Sequence, residues 1–381
     1  MSSLYMCWFK RKKRSSEDSY NSIDSPSNDR KWPLWKMILV WSLVALFALV
    51  LLVFLLIFVV FPITFWLCYT LQRFMTFIPI NSPKNPNFND PGSYGIQNVQ
   101  NFYITVPDYY DTEKLTKIGA WLILPENYPT TISNAINITE ILQNTSSDIL
   151  FYLHGVAANR AKPISQYTLF RKYFLVIAID HRGYGDSGED VELSEDAIVS
   201  DNLHIFDWLR KINSKSNIYY WGHSLGTGIS CHTVSSLKEK KDFVPHGLVL
   251  EAPFTSMADE IAHVMGKVFG WLAYFNATIV RPVGENGILF ESSRNILNIN
   301  CPIMIMNAKD DGVIPWTFGE RLYHTAIEKR NLNKQGNITF HSFPADKAYG
   351  HNDVTTDPSV PHLIEDFIQM CNEFNQNNRL S

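Results

Sequence analysis

Between Met37 and Phe61 the chain runs for 25 residues without a charged side chain. At a rise of about 1.5 Å per residue, a helix over this run is roughly 37 Å long, enough to cross a hydrocarbon core with some tilt. A buried helix of a soluble domain this long and this apolar would be unusual. A cleaved signal peptide is the competing reading. Such a peptide starts nearer the N-terminus, has a shorter apolar core and ends in small residues. This run starts late and ends in Phe61-Pro-Ile-Thr-Phe-Trp66. The sequence therefore predicts an uncleaved transmembrane anchor at 37–61. Residues 1–36 are polar and read as a disordered basic tail. Eight Lys/Arg precede the run, while only Arg73 and Lys84 follow it over a similar distance. The bias in positive charge predicts a cytosolic tail, with everything after residue 61 across the membrane. Asn-x-Ser/Thr triplets at Asn137, Asn144, Asn276 and Asn337 fall on that far side and are the glycosylation candidates.

The remaining sequence divides into a linker at 62–100, where Pro, Asn and Gly accumulate after residue 74, and a larger domain at 101–381. Two alternating segments, 101–106 and 117–124, read as strands of a hairpin. After Asp148 the grammar changes. Short runs rich in Ile, Val, Leu and Tyr fall at 149–154, 174–180, 217–221, 248–250, 302–306 and 338–343. Helical stretches intervene at 195–212, 225–239, 317–330 and 359–373. Such alternation predicts a mostly parallel, doubly wound α/β sheet. A net charge of −4 argues against nucleic acid as a partner. Five scattered cysteines do not make a disulfide framework or a zinc site.

Within this pattern, Gly222-His223-Ser224-Leu225-Gly226 is a G-x-S-x-G on a strand-to-helix turn. Small residues at Gly222 and Gly226 allow the neighbouring strand and helix to approach, leaving the Ser224 hydroxyl clear at the sheet edge. The backbone N–H of Leu225 points to the same spot. Three further segments follow strand ends, where an open α/β sheet places its ligand. His154-Gly-Val156 offers Val156 N–H as a second oxyanion donor beside Leu225. Asp180-His-Arg-Gly-Tyr-Gly-Asp-Ser187 reads as a tight turn tied by an Arg fork, a scaffold rather than chemistry. Lys309-Asp-Asp-Gly-Val-Ile-Pro315 carries two candidate acids, of which spacing to Pro315 and the turn at Gly312 favour Asp311 over Asp310. Among the histidines after Asp311, His324 and His362 fall on helices and His341 in a strand. His351, in a loop between the last strand and the last helix, is the candidate base. Ser224, Asp311 and His351 together predict acyl transfer by a Ser-His-Asp relay, which requires no metal or cofactor.

With these motifs in hand, the chain resembles the membrane-anchored lysophosphatidylserine and monoacylglycerol lipases of the α/β-hydrolase-domain proteins. The resemblance rests on Tyr152-Leu-His-Gly155, Asp180–Ser187, Ile205-Phe-Asp-Trp208, Trp221–Gly228, Leu250-Glu-Ala-Pro-Phe-Thr255, Cys301-Pro302 and Asp310–Pro315. It covers roughly residues 95–375. The chain departs from the family pattern at Val156, where Asn is usual, at Gly312, where Pro is, and after His351. The resemblance implies an α/β-hydrolase fold, the triad Ser224, Asp311 and His351, and an endoplasmic reticulum membrane setting with a lumenal active site.

Residues 256–300 sit where this fold carries a cap. Ile261, Val264, Met265, Val268, Phe269 and Leu272 recur there at helical spacing, with Trp271, Tyr274 and Phe275 beside them. That stripe can pack the cap on the body, or it can meet an acyl chain or a membrane. The expected function is a membrane lipase acting on a lipid ester, a lysophospholipid or a monoacylglycerol, with the bilayer as its other partner. A protein acyl-thioesterase, a serine peptidase or a non-catalytic adhesion or scaffold protein would use the same fold. Oligomeric state, headgroup and acyl-chain preference are not readable from the sequence.

Overall fold

The computed structural model describes residues 32–128, 137–188 and 192–380, with side chains through residue 376. Most of the basic tail therefore lies outside the described residues. The chain divides into two units, Met1–Leu55 and Leu56–Ser381.

Among the described residues of the larger unit, eight strands form one sheet. They are β1 (Val99–Pro107), β2 (Leu115–Ile123), β3 (Ile149–Leu153), β4 (Leu175–Ile179), β5 (Ile218–His223), β6 (Gly247–Glu251), β7 (Ile303–Ala308) and β8 (Ile338–Phe343). Their spatial order is β1-β2-β4-β3-β5-β6-β7-β8. The β1–β2 hairpin and the β2–β4 pair are antiparallel, and every other neighbour is parallel. Every residue of β3 to β7 is buried. Parallel strands covered by helices on both faces need no polar side, which is why they read as unbroken apolar runs. Period-two alternation still sorts them. Ile149, Phe151 and Leu153 enter one core, Leu150 and Tyr152 the other.

The helices are α1 (Leu34–Leu55), α2 (Phe61–Leu67), α3 (Tyr69–Phe77), α4 (Ile138–Asn144), α5 (Ile164–Phe170), α6 (Glu195–Ile212), α7 (Leu225–Lys241), α8 (Met257–Phe269), α9 (Arg281–Glu285), α10 (Ser292–Asn295), α11 (Trp316–Lys329) and α12 (Val360–Leu380). Their starts obey local chemistry. Ser194 caps α6 by accepting from Ala197 N, with Glu195 and Asp196 in the first turn and Arg210 and Lys211 in the last. Ser256 caps α8 through Asp259 N.

Two features differ from the sequence expectation. The apolar helix is longer than 37–61. It runs Leu34–Leu67, through a π turn at Leu56–Val60, and is long and apolar enough to cross a membrane. The segment expected as a linker from residue 62 instead holds α2 and α3, built into the body. Phe65 and Phe77 are fully buried there, and Gln72 donates to Phe65 O at 2.7 Å. Proximity to Pro, Asn and Gly made this stretch look like a spacer; its burial is a tertiary fact. After α3, Asn81 exchanges hydrogen bonds with the backbone of Gly185, and Ile78 O accepts from Ala157 N. These bonds fasten the segment to the loops after β4 and β3.

The sheet reverses its chain order at β3. The connections leaving β3 and β5 therefore run to opposite sides and open a crevice at their C-terminal ends, the usual ligand position in such sheets.

Candidate active site

Ser224 occupies that crevice. It links β5 to α7 with φ 53° and ψ −121°, a conformation costly for a residue with a side chain. Its surroundings impose it. A Cβ at Gly222 would overlap the carbonyl of Gly226, and one at Gly226 would overlap that of Leu153. Only glycine lets β3, β5 and α7 come this close. Gly155 completes the constraint from the loop after β3. A Cβ there would lie 2.9 Å from Ser224 Cβ. Leu225 is the first residue of α7, so its N–H belongs to the unpaired donors of a helix start. Val156 and Leu225 line one cavity together with Ser224.

His351 sits in the loop after β8 and lines a second cavity with Ser224. Its Nδ1 lies 2.7 Å from Asp311 Oδ2. Asp311 is held in turn, its Oδ1 accepting from Val313 N at 2.8 Å and Ile314 N at 3.0 Å. The neighbouring acid has a different task. Asp310 Oδ2 accepts from Gly350 N at 2.8 Å and so clamps the loop one residue before His351. A third contact comes from His223, whose Nε2 donates to His351 O at 2.9 Å. Burial, with His351 next to it, pushes His223 down to about 4, so it is neutral and carries its proton on Nε2. The sequence reading missed His223, because it stands at the variable position of G-x-S-x-G. Nothing but its distance to His351 assigns it a part.

Below the loop, Asp180 accepts from both the backbone and the guanidinium of Arg160, which also reaches Asp186 and Asn101 at 2.8 Å each. Arg182 forks onto Asp201 at 2.7 and 2.6 Å and touches Asp108 at 3.2 Å. Burial drives His154 well down and His181 to about 4, so the two rings, tilted against each other under the loop, are uncharged.

Two cavities of different character, one apolar and one mixed, meet at Ser224, sharing Val156, Ser224 and Val313. One, of about 240 Å³, is apolar and walled by α8, by Phe65, Met75 and Ile78 of the preceding segment, and by Phe254. The other, of about 490 Å³, is lined by Lys162, Ser165, Gln166, His351, Asn352 and Asp353 among others. Among the described residues, one carboxyl group lines the apolar cavity. Glu260 keeps Oε2 enclosed without a hydrogen-bond partner among the described residues. Burial, and secondly Asp311, raise it to about 8, so it is protonated at neutral pH. No cluster of His, Cys, Asp or Glu able to hold a metal occurs among the described residues. Asn137, Asn144, Asn276 and Asn337 are all exposed.

An alpha/beta hydrolase fold family model matches residues 148–293. The chain is 30% identical over 318 residues to lysophosphatidylserine lipase ABHD12 of Xenopus tropicalis, covering 81% of this chain and 79% of that protein. It is 29% identical to the protein of the same name from Danio rerio, over 82% and 80% of the two chains. Protein ABHD12B of Homo sapiens is 28% identical over 58% and 60%. Among solved structures, an alpha-beta hydrolase from Vibrio vulnificus superposes with a TM-score of 0.55 at 18% identity, covering 78% of this chain and 94% of that one. That last likeness speaks to the fold alone.

Proposed function

Since the chain belongs to the α/β-hydrolase family of the lysophosphatidylserine lipases ABHD12, and is accordingly a carboxylic ester hydrolase acting on lipid esters, we propose that it cleaves the acyl ester of lysophospholipids through Ser224, His351 and Asp311. The observation that carries this reading is the meeting, at a strained Ser224, of an apolar cavity with a more polar one that holds Lys162 and Asp353. An amphipathic ester fits that arrangement, with its chain on the apolar side, its headgroup on the polar side and its carbonyl at the serine.

With Nδ1 engaged by Asp311, the Nε2 of His351 is left to take the Ser224 proton as Oγ attacks the carbonyl carbon. The N–H groups of Leu225 and Val156 receive the oxyanion, each such donor being worth about 2.7–4 kcal/mol of barrier. His351 then returns the proton to the departing glycerol oxygen. Water, deprotonated by the same imidazole, releases the fatty acid from Ser224. Asp311 keeps the ring oriented for both transfers. A headgroup with a negative phosphodiester suits Lys162 at the polar cavity; a neutral monoacylglycerol makes no use of it.

The domain reading proposed is a cytosolic tail, a span within Leu34–Leu67 and a lumenal body in the endoplasmic reticulum membrane. The long apolar helix and the exposed sequon asparagines are compatible with it. A fluorophosphonate probe tests the mechanism: wild type labels, and Ser224→Ala neither labels nor hydrolyses lysophosphatidylserine in vesicles. Labelling that survives the substitution removes Ser224 from the reaction.

A further inference from the structure

The walls of the apolar cavity carry apolar side chains on their outer side as well. Val264 of α8 and Met75 of α3 line the cavity and are nonetheless 43% and 40% exposed. A residue that does both stands at a mouth. Beyond it, further large apolar side chains are exposed, and Lys267 of α8 is exposed among them. Val268 is 49% exposed, Trp271 63%, Trp66 46% and Leu67 73%. Several large apolar side chains exposed on neighbouring elements point to a contact with something other than water.

What covers it follows from what it is packed on. Phe61 stacks on Phe269 at 5.3 Å, and Phe58 meets Phe269 edge-on at 5.9 Å and Trp271 at 5.2 Å. Tyr274 Oη donates to Phe58 O. Phe58 and Phe61 belong to the last turns of the apolar helix Leu34–Leu67. A surface joined side by side to the end of a membrane span, and itself bearing Val, Trp and Leu, is covered by the same medium as that end. Trp and Tyr at this level are the residue types that settle at the boundary between hydrocarbon and water.

Resting on the reading of Leu34–Leu67 as a span, we propose that α8, the turn to Tyr274 and α2 form a collar seated in the bilayer surface, and that the acyl cavity opens through it between Val264 and Met75. A lipid ester then reaches Ser224 chain-first from the leaflet, without its acyl chain crossing water, while the polar cavity faces the aqueous side. The collar differs from a bare anchor, which would leave the orientation of the body free.

The test uses the full chain in phosphatidylcholine vesicles. Val268→Cys, with Cys7 and Cys68 replaced by Ser, is labelled with an environment-sensitive fluorophore; the remaining cysteines are buried. The expected result is blue-shifted emission quenched by lipids brominated on the acyl chain. Aqueous emission without lipid quenching, on protein that resists alkaline extraction, overturns the collar and leaves the anchor standing. Shielding that depends on protein concentration and ignores lipid quenchers assigns the face to a second copy and overturns the proposal too. Protein stripped by alkali removes the anchor reading, and the collar with it. In parallel, Val268→Glu is expected to hydrolyse vesicle-borne long-chain lysolipid at least about tenfold more slowly, with the rate on a water-soluble short-chain ester unchanged. A wild-type vesicle rate overturns the proposal.

Discussion

Glu260 is the residue whose chemistry is least expected from its position. A carboxyl in an apolar cavity is penalised when charged, and its proton is held up to about 8 against an ordinary 4.5. Asp311 pushes in the same direction and Lys267 opposes it. The folded state thus binds this proton more tightly than the unfolded chain does. Its contribution to stability is greatest below about pH 4.5 and is lost as pH rises towards about 8. Glu260→Gln, which cannot ionise, should therefore melt progressively higher than wild type across that window, by a few degrees at its upper end, with a constant difference above it. Thermal melts at several pH values check this, and a difference independent of pH would mean that Glu260 does not titrate there. Sequence reading had no access to this group, because an i, i+4 pattern says which face of α8 is apolar and not which polar residue that face carries inward. The two adjacent acids make the opposite point. Spacing to Pro315 singled out Asp311, and Asp311 is the one bonded to His351, since the turn it closes over Val313 and Ile314 is a local matter. That Asp310 instead clamps Gly350, 40 residues on, was invisible without the fold.

Strands and long helices were legible because their periods are set by burial that extends along the whole element. β3 to β7 fall on the expected apolar runs, and α6 and α11 within a residue of the expected stretches. Short elements were not. α4, α5, α9 and α10 are seven residues or fewer, too short to show a period, and α2 and α3 pack aromatic residues on the 256–300 segment, Phe61 on Phe269 and Phe77 on Phe290. The Arg fork in the turn after β4 was anticipated as a type but not by partner. Arg182 ties that turn to Asp201 of α6 and to Asp108 just after β1. Removing the guanidinium leaves two carboxylates facing each other in a buried place. Arg182→Ala is expected to cost about 3–5 kcal/mol of stability, measurable by denaturant titration. The double variant Arg182→Leu/Asp201→Leu should recover part of that loss; failure to recover any would mean the cost is one of packing rather than unpaired charge.

For the whole molecule, the placement of two cavities on either side of Ser224 sets what can be bound. Lys162 stands on the polar side with Asp353, and no other lysine or arginine lines that cavity among the described residues. Lys162→Glu should lower kcat/KM for an anionic lysophospholipid by about tenfold while leaving a monoacylglycerol within a factor of two, since a charge pair in a half-open site is worth about 1–2 kcal/mol. Equal effects on both substrates would take Lys162 out of headgroup recognition. By itself the sequence determined the fold class, the charge-free helix and the strained serine turn. These rest on local periods, on steric rules for Gly and on residues close in the chain. Only the tertiary structure decided that α2, α3 and α8 enclose one cavity, that His223 and Asp310 hold the loop of His351, and that Glu260 faces the apolar side. Each of these joins segments dozens of residues apart, and such contacts are fixed by packing, not by spacing.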